Sequence, residues 1–341
     1  MVANKNKVNF GVIGVGRIGK IHIENLKHRI SKTDVVAISD INKEELDKVA
    51  KEFNISNVTT DYHDILKQKD VDAIVICSPT DTHTLIIEEA ANAKKHIFCE
   101  KPIDLTLEKI KSTIETVEKN NVKFFVGFNR RFDPNFKKIY EIASSGKIGQ
   151  LQILKITSRD PAPPPLEYLK VSGGILLDMT IHDFDMARYL VGSEVKEVYA
   201  MGDVLVDPVF KEAGDLDTVI TVLKFENGTI GTIDNNRKAV YGYDQRVEVF
   251  GSKGMATVKN NTPDNHIYLD KEGVHSALPL NFFMDRYTES YLAEMNAFFD
   301  CIINDLSPKS SGNDGLIAVA IGLAAMKSIK ENRPVKMSEI I

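Results

Sequence analysis

Three residues of the sequence have the types and spacing that proton transfer from a hydroxyl group requires. Lys101 stands in the motif Glu100-Lys101-Pro102, and a lysine ammonium can donate hydrogen bonds to a substrate oxygen. Asp178 and His182 are four residues apart, so on a helix they would share one face. A carboxylate beside an imidazole orients the ring and raises its basicity, which suits a general base near neutral pH. The simpler alternatives are an exposed surface lysine and an Asp–His pair that only stabilises a helix.

A metal site is a third interpretation of the Asp178–His182 pair, but the sequence offers no clear third ligand. The cysteines Cys77, Cys99 and Cys301 are odd in number and form no C-x-x-C pair, so they indicate neither a disulfide framework nor a zinc site. We expect Cys77 and Cys99 to be small buried residues rather than nucleophiles. The prediction is a protein without a metal cofactor in a reducing cytoplasm.

A glycine-rich loop near the N-terminus predicts a dinucleotide-binding site. The segment Gly14-Val15-Gly16-Arg17-Ile18-Gly19 fits G-x-G-x-x-G and lies between a predicted strand and a predicted helix. In this motif the first glycine permits a tight turn, the second lets a pyrophosphate approach the backbone, and the third allows close packing of helix on sheet. The helix N-terminus that follows favours an anion.

An acidic residue at the end of the second predicted strand supports this prediction. Asp40 follows Gly19 by 21 residues, close to the roughly 20 expected for the acid that binds the adenosine ribose hydroxyls. A carboxylate there repels a 2′-phosphate, and no arginine follows it directly. We therefore predict NAD, rather than NADP, as the cofactor.

The elements that must position these residues alternate between strand and helix in the first part of the chain. Apolar runs rich in Val and Ile predict buried strands at residues 8–13, 34–40, 71–77, 96–99 and 122–128. Between them lie predicted helices, one of which starts at Asn42 with Glu45 at the capping-box spacing. This alternation predicts a parallel sheet covered on both faces. We assign residues 1–126 to an α/β Rossmann domain that binds NAD.

The pattern changes after residue 128 to strands in series with helices set apart. A helix at 135–144, a strand at 151–158 and a proline-rich loop, Pro161 to Pro165, precede a helical stretch at 175–190 that ends at Gly192. Strands are predicted in one sheet at residues 217–225, 229–235, 246–250, 256–259 and 266–270, and helices at 287–303 and 313–331. Asn227-Gly228 predicts a hairpin. We assign residues 127–341 to an α+β domain with a large, open, mostly antiparallel sheet.

The composition excludes several classes of partner. The chain of 341 residues carries a formal net charge of −5 without a basic block, so its overall field does not favour nucleic acid or anionic lipid. The longest apolar stretch, residues 317–326, is shorter than the roughly 20 residues that span a bilayer. The N-terminus lacks the apolar core of a signal peptide. A small molecule is the expected partner.

Four motifs together resemble those of the glucose–fructose oxidoreductase/inositol dehydrogenase/rhizopine-catabolism (Gfo/Idh/MocA) superfamily. They are the glycine motif, Ser78-Pro79-Thr80-x-x-His83, Glu100-Lys101-Pro102 and Gly174-x-x-x-Asp178-x-x-x-His182-Asp183, in this order along nearly the whole chain. Residues 159–163, 177–188 and 241–245 are most similar to those of bacterial inositol 2-dehydrogenases. The sequence departs from the family at Lys94, where a glycine is usual, and we expect this to affect only turn geometry.

The resemblance implies NAD-dependent oxidation of a cyclic polyol. The similarity to inositol 2-dehydrogenases implies that the polyol is myo-inositol, which is oxidised to its 2-keto derivative. His182 would accept the hydroxyl proton while hydride leaves the same carbon for nicotinamide C4. Asp178 would hold His182 and a neighbouring substrate hydroxyl. Lys101 would bind the reacting oxygen.

The resemblance also implies further contacts. Asn129 and Arg130 would line the polyol site, with Tyr243 a weaker candidate, whereas pairing between the domains is an equal alternative for Arg130 and Arg131. The predicted cofactor contacts are Gly14, Gly16, Arg17, Ile18, Gly19, Asp40, Ser78, Thr80, His83, Glu100 and Lys101. Members of the family are often homotetramers that pack their C-terminal sheets face to face.

Two other functions remain open at this stage. One is the oxidation of another sugar or sugar acid by a dehydrogenase of the same family. The other is a regulator that retains the nucleotide fold and senses a ligand without catalysis. A lysine, an aspartate and a histidine in these motifs favour an enzyme, because sensing needs no proton acceptor. The choice of inositol isomer would depend on loops such as Pro161 to Pro165.

Overall fold

The computed structural model describes residues 7–341, and all statements below concern these residues. The strands are β1 (Val8–Ile13), β2 (Thr33–Ser39), β3 (Val58–Thr59), β4 (Ala73–Ile76), β5 (His96–Glu100), β6 (Phe124–Gly127), β7 (Leu151–Arg159), β8 (Val195–Asp203), β9 (Thr218–Phe225), β10 (Ile230–Asn236), β11 (Asp244–Gly251), β12 (Gly254–Val258), β13 (Ile267–Asp270), β14 (Gly273–Ser276) and β15 (Val335–Lys336). The α-helices are α1 (Arg17–Glu24), α2 (Lys43–Glu52), α3 (His63–Leu66), α4 (His83–Asn92), α5 (Leu107–Asn120), α6 (Pro134–Ser144), α7 (Leu166–Leu169), α8 (Ile181–Val191), α9 (Val209–Glu212), α10 (Phe283–Arg286), α11 (Thr288–Ile303) and α12 (Gly312–Glu331). Two π-helical segments are Asn25–Arg29 and Ile175–Met179, and 3-10 turns are Thr80–Thr82, Asn129–Phe132 and Met337–Glu339.

The chain divides into two compact units that are not simple halves of the sequence. The first unit consists of Met1–Phe132 and Glu289–Ile317, and the second of Asp133–Thr288 and Ala318–Ile341. The division differs from the predicted ranges 1–126 and 127–341, because nearly all of α11 belongs to the first unit. Phe298 of α11 packs in the first unit's core with Phe98 and Phe125 of its sheet. These aromatic contacts explain why the helix returns to that unit.

The first unit contains a six-stranded sheet in the order β3-β2-β1-β4-β5-β6, in which every pair is parallel. This confirms the predicted parallel sheet, with β3 as an additional short strand. The order reverses between β1 and β4, whose last residues Ile13 and Ile76 are register partners. In open α/β sheets, ligands bind beyond the carboxyl ends of the strands at such a switch point.

Local signals in this unit agree with the structure. Asn42 is the N-cap of α2, and its side chain accepts a hydrogen bond of 3.2 Å from the backbone N of Glu45. Lys94, at the position where the resemblance implies a glycine, adopts a φ of 59°. That left-handed conformation is the one glycine favours. Lys94 Nζ donates a 2.7 Å hydrogen bond to Asn120 Oδ1, which holds the turn after α4 against α5.

The second unit contains a seven-stranded sheet in the order β12-β11-β7-β10-β9-β8-β15. The β7–β10 pair is parallel and the other pairs are antiparallel, as predicted for a mostly antiparallel sheet. The predicted hairpin joins β9 to β10, with Gly228 at a φ of 89°.

One strand prediction is wrong. Residues 266–270 were expected to continue the large sheet, but β13 pairs with β14 in a separate two-stranded sheet whose residues are all exposed. Asp270 Oδ1 accepts hydrogen bonds from the backbone N of Glu272 at 2.8 Å and of Gly273 at 3.2 Å. This tight turn supplies β13 with a partner nearby in sequence, which alternation of side chains alone does not reveal.

The predicted helical stretch at 175–190 is interrupted. It starts with the π-helical segment Ile175–Met179 and continues as α8, which ends at Gly192 with a φ of 64°. The predicted glycine at the helix end is confirmed. Across residues 7–341, the helices are all too short or too polar to cross a membrane.

Candidate active site

The glycine loop has the geometry of a phosphate cradle. A Cβ atom at Gly14, whose φ is 89°, would lie 2.6 Å from the backbone of Cys77 and Ser78. A Cβ atom at Gly19 would lie 2.1 Å from the carbonyl oxygen of Gly14. At Gly16, by contrast, no heavy atom lies within 4 Å of an added Cβ. The first and third glycines therefore serve internal packing, and the second leaves exposed space in front of α1, whose first turn contains the predicted contacts Arg17 and Ile18.

Asp40 lies against this loop. Its Oδ2 accepts a 2.9 Å hydrogen bond from the backbone N of Val15, and its Oδ1 accepts one of 2.8 Å from the backbone N of Asn42. The predicted proximity of the acid to the glycine motif is confirmed. The two backbone donors fix the carboxylate at the edge of the cradle, where the ribose of a dinucleotide would lie. These residues fit NAD.

His83 links two loops at the carboxyl end of the sheet. Its Nδ1 lies 2.8 Å from the carbonyl oxygen of Pro102, and its Nε2 lies 2.8 Å from that of Ser78. Burial lowers the pKa of this histidine, although both carbonyl contacts oppose that shift. A neutral ring has a single N–H and donates to only one of the two carbonyl oxygens. The geometry gives His83 a positioning role, and its direct contact with NAD stays a prediction.

The other residues after β4 and β5 lie at the same edge. Ser78 Oγ is 2.7 Å from Thr82 Oγ1, in the turn that begins at Thr80. Glu100 ends β5, and its Oε1 is 2.7 Å from His22 Nε2 of α1. Lys101 follows directly and is half-buried. One carboxyl oxygen of Glu100 therefore contacts α1 through His22. The predicted contact between Glu100 and NAD stays a prediction.

The two cysteines at these strand ends are not activated nucleophiles. Cys99 is buried and Cys77 is half-buried. Burial, with a smaller contribution from the carboxylate of Glu100, raises the pKa of both thiols well above the ordinary value. Both remain protonated at neutral pH, as expected for residues that only pack.

The residues after β6 are buried in the first unit. Asn129 and Arg130 are 3% and 4% exposed, and the backbone oxygen of Asn129 accepts a 3.1 Å hydrogen bond from Ser290 Oγ. Arg131 donates to the backbone oxygen of Lys309 at 2.8 Å, and its Nη2 lies 2.9 Å from Asp314 Oδ1. Although burial opposes it, Arg131 holds the pKa of Asp314 below its usual value. Arg131 thus pairs inside its own unit.

Asp178 is anchored in the second unit by two residues that sequence analysis did not single out. Tyr168 Oη donates a 2.7 Å hydrogen bond to Asp178 Oδ1, and Arg237 Nη2 donates one of 3.0 Å to Asp178 Oδ2. Arg237 Nη1 also donates a 2.9 Å hydrogen bond to Asp160 Oδ2. A buried guanidinium with two carboxylates favours their charged forms and fixes the orientation of Asp178. His182, half-buried, stands in the first turn of α8.

The electrostatics of this cluster follow from burial and charge. Burial and the carboxylate of Asp178 raise the pKa of Tyr168, so its phenol stays a proton donor. Although burial opposes it, the carboxylates of Asp178 and Asp160 raise the pKa of Arg237, which stays charged. Besides Asp178, the sequence pointed to this cluster only through Asp160, which belongs to the segment 159–163 that resembles inositol 2-dehydrogenases. Arg237 lies 59 positions from Asp178, and no spacing rule connects them.

The start of the Asp178 segment depends on a close approach at Gly174. A Cβ atom there would lie 2.5 Å from Asp215 Oδ1, and the φ of Gly174 is 74°. Asp215 accepts a 3.0 Å hydrogen bond from the backbone N of Ile175, the first residue of the π-helical segment. Burial raises the pKa of Asp215. The glycine in the Gly174-x-x-x-Asp178 motif is therefore needed to admit this carboxyl group.

A second buried network holds α8 to β10. Asn235 Nδ2 donates a 2.8 Å hydrogen bond to Asp183 Oδ2, and Thr180 Oγ1 donates one of 3.0 Å to Asn235 Oδ1. Asp183, next to His182, is therefore committed to packing. Tyr243, the weaker candidate for the polyol site, is buried with its ring edge-on to Tyr287 at 6.0 Å. Its contact with substrate stays a prediction.

Comparison with known proteins gives two family matches. Residues 8–128 match an oxidoreductase family with an NAD-binding Rossmann fold, and residues 136–257 match the GFO/IDH/MocA C-terminal domain. A myo-inositol 2-dehydrogenase of Thermotoga maritima is 49% identical over 98% of this chain and 100% of the relative. An uncharacterized oxidoreductase of Bacillus subtilis is 50% identical over 96% of each chain. An inositol 2-dehydrogenase of Rhizobium meliloti is 43% identical over 97% of this chain and 99% of its own.

Solved structures match over nearly the full length. A probable dehydrogenase from Thermotoga maritima has a TM-score of 0.96 at 49% identity, covering 98% of this chain and 100% of that one. The scyllo-inositol dehydrogenase of Lactobacillus casei with bound NAD(H) and scyllo-inositol has a TM-score of 0.91 at 32% identity, covering 97% and 99%. The myo-inositol dehydrogenase of the same organism, in complex with NAD(H) and myo-inositol, has a TM-score of 0.87 at 26% identity, covering 97% and 96%.

The fold and the glycine cradle define the class as an NAD-dependent oxidoreductase with a Rossmann domain and a second, α+β domain. The chain belongs to the Gfo/Idh/MocA family, so the resemblance found in its motifs is confirmed.

Proposed function

We propose that this enzyme oxidises a ring hydroxyl of inositol with NAD, with myo-inositol as substrate and its 2-keto derivative as product. The observation that carries the proposal is the anchored carboxylate of Asp178, held by Tyr168 and Arg237 four residues before His182. A fixed acceptor four residues before an imidazole suits a substrate with several adjacent hydroxyls. The named activities of the relatives support the same substrate class.

In the proposed mechanism each side chain handles one part of the substrate. The glycine cradle and Asp40 would hold NAD, whose nicotinamide ring would supply the hydride acceptor. His182 accepts the proton of the hydroxyl that is oxidised, and Asp178 accepts a hydrogen bond from a neighbouring hydroxyl and orients the imidazole. Lys101 donates a hydrogen bond to the reacting oxygen and, as a cation, stabilises the negative charge that develops there. Asn129 and Arg130 bind further hydroxyls.

The test is NADH formation by the purified protein with myo-inositol, scyllo-inositol and glucose in parallel, at mildly alkaline pH. We expect the highest kcat/KM for myo-inositol and little turnover of glucose. A preference for scyllo-inositol would replace myo-inositol as the proposed substrate. That outcome is a real alternative, because a scyllo-inositol dehydrogenase has the same fold. Binding of NAD without turnover of any polyol would reject the enzyme in favour of a regulator. A higher kcat/KM for glucose would reject inositol and favour a sugar dehydrogenase of the same family.

We further propose that the protein is a homotetramer whose large sheets pack against those of other copies. Four apolar side chains form a row across neighbouring strands through the register pairs Ile230–Ile153, Ile153–Phe250 and Phe250–Met255. They are between 41% and 50% exposed in the single chain. A contiguous apolar row on an open sheet is typical of an interface between subunits.

Light scattering on a sizing column tests the assembly. We expect a mass of four chains for the wild type and a smaller species for Phe250→Lys. Leu306→Lys, at an exposed apolar position of the first unit, is the control and should leave the mass unchanged. A wild-type monomer would refute the assembly. A cytoplasmic location is likewise proposed, supported by the free state of Cys77, Cys99 and Cys301.

A further inference from the structure

Three titratable side chains to which the proposed mechanism gives no role meet inside the first unit. His22 of α1, Glu100 at the end of β5 and Glu294 of α11 have side-chain polar atoms within 4.8 Å of one another. His22 and Glu294 are fully buried, and 15% of the Glu100 side chain is exposed. The cluster therefore joins the helix of the glycine loop to the strand end that carries Lys101.

Within the described chain, the contacts of the three groups are unequal. Glu100 Oε1 is 2.7 Å from His22 Nε2, whereas neither carboxyl oxygen of Glu294 has a hydrogen-bond partner. The His22 ring lies edge-on to Phe98 at 5.1 Å and to Tyr291 at 5.8 Å. Two further titratable groups belong to these surroundings: Tyr291, whose ring contacts His22, and the thiol of Cys77, which burial keeps neutral. Glu294 is thus a buried acid without a hydrogen-bond donor.

A charged carboxylate is strongly disfavoured in such a place. Removing it from water costs several kcal/mol unless donors or a cation compensate, and a second carboxylate nearby adds repulsion. Burial, and then the negative charge of Glu100, raise the pKa of Glu294 well above its usual value. A proton on Glu294 removes both the cost of burying its charge and the repulsion from Glu100.

A divalent cation is the competing occupant, and the geometry disfavours it. Zinc–ligand distances of about 2.0–2.1 Å place tetrahedral ligand atoms roughly 3.3 Å apart. His22 Nε2 and Glu100 Oε1 are only 2.7 Å apart, which is the distance of a direct hydrogen bond. The space between these two atoms fits a proton and not a metal ion.

We propose that Glu294 is an uncharged carboxylic acid in the folded protein, and that with His22 it positions the strand end carrying Lys101 against α1. Glu100 accepts the hydrogen bond from His22 Nε2–H. Glu294 is a positioning residue, since it acts on Lys101 only through Glu100. The inference rests on the proposed function for the role of Lys101, but the protonation state is testable without any substrate.

Infrared difference spectroscopy on the full-length protein tests the proton directly. The difference between wild type and Glu294→Gln at pH 7 should contain the carbonyl stretch of a protonated carboxylic acid, displaced in D2O. Glu289→Gln, an exposed glutamate on the same helix, is the matched control and should give no such band. A carboxylate signal from Glu294 at pH 7 would overturn the proposal, as would one equivalent of zinc in metal analysis of the purified protein.

The pH dependence of stability gives a second readout. The folded state keeps a proton on Glu294 that the unfolded state loses above its ordinary pKa, so wild-type stability falls as the pH rises. Because Gln cannot titrate, the unfolding constant of wild type relative to Glu294→Gln should rise about tenfold per pH unit from about pH 5 until Glu294 ionises. A constant ratio between pH 5 and pH 8 would contradict the assignment.

Kinetics test the positioning role. Glu294→Gln keeps a neutral polar group of the same shape and should retain kcat within about twofold, whereas Glu294→Leu leaves Glu100 and His22 facing an apolar side chain and should lower kcat roughly tenfold. The dissociation constant of NAD should change less than kcat. Equal kcat values for Gln and Leu would refute the positioning role while leaving the infrared result intact. Absence of inositol turnover in wild type would instead count against the proposed function.

Discussion

The sharpest test of the site concerns Arg237, which no local motif indicates. Arg237→Met keeps most of the apolar stem but removes the guanidinium that bridges Asp178 at 3.0 Å and Asp160 at 2.9 Å. Breaking a buried ion pair by removing one partner costs about 3–5 kcal/mol. The carboxylates keep 11% and 22% of their side-chain surface exposed, so water compensates in part. We therefore expect a loss near the lower end, about 3 kcal/mol.

The effect on catalysis should exceed what stability alone explains. Asp178 would lose the ion pair that fixes its Oδ2, and misplacement of a reacting group by about 1 Å can cost roughly 100-fold in rate. Arg237→Lys keeps the charge but cannot bridge both carboxylates with fixed geometry, so its kcat/KM should lie between those of wild type and Arg237→Met.

The assay combines urea unfolding with kcat/KM for myo-inositol, followed by NADH absorbance. Arg333→Met is the control, because Arg333 pairs with Glu331 and Glu339 at the surface, where ion pairs contribute about 0–1 kcal/mol. Wild-type kcat/KM in both Arg237 variants would refute the assignment of Asp178 as an anchored catalytic group. A loss of stability without loss of kcat/KM would limit Arg237 to folding.

Three further predictions follow from single side chains. Lys101→Met should abolish most turnover and leave NAD affinity, measured by calorimetry, largely unchanged, with the exposed Lys111→Met as control; wild-type rates would remove the lysine from the mechanism. Asp40→Ala should weaken NAD binding and relax discrimination against NADP, and an unchanged ratio of the two kcat/KM values would contradict the ribose assignment. Lys94→Gly should raise the free energy of unfolding by up to about 1 kcal/mol, because the φ of 59° suits glycine. The loss of the hydrogen bond to Asn120 opposes this gain. Urea unfolding measures the net effect, and a marked destabilisation would show that the hydrogen bond dominates.

The parts of the fold that follow local rules could be predicted closely. The start of α2 follows from the capping-box spacing of Asn42 and Glu45, and the hairpin at Asn227-Gly228 follows from the conformation that its turn requires. The glycine motif and Asp40 could be found because Gly14 and Gly19 answer local steric demands and Gly16 leaves the loop open, all near one strand end. Such signals lie within a few residues of the element that they determine.

Other features needed the path of the whole chain. The partner of β13 depends on which strand edge is available, and side-chain alternation is the same for either choice. The return of α11 to the first unit follows from aromatic packing of Phe298, which no spacing reveals. The sequence analysis missed Tyr168 and Arg237, because their contacts with Asp178 also depend on the path of the chain and not on a spacing rule.

The sequence by itself determined the class of fold, the cofactor loop and the types of side chain available for chemistry, because these depend on short-range sterics and periodicity. Only the tertiary structure decided which buried charges face each other. Arg237 meets Asp178 across 59 positions, and His22 meets Glu100 across 78. Electrostatic partners depend on distance in space, and that distance is set by the packing of whole elements.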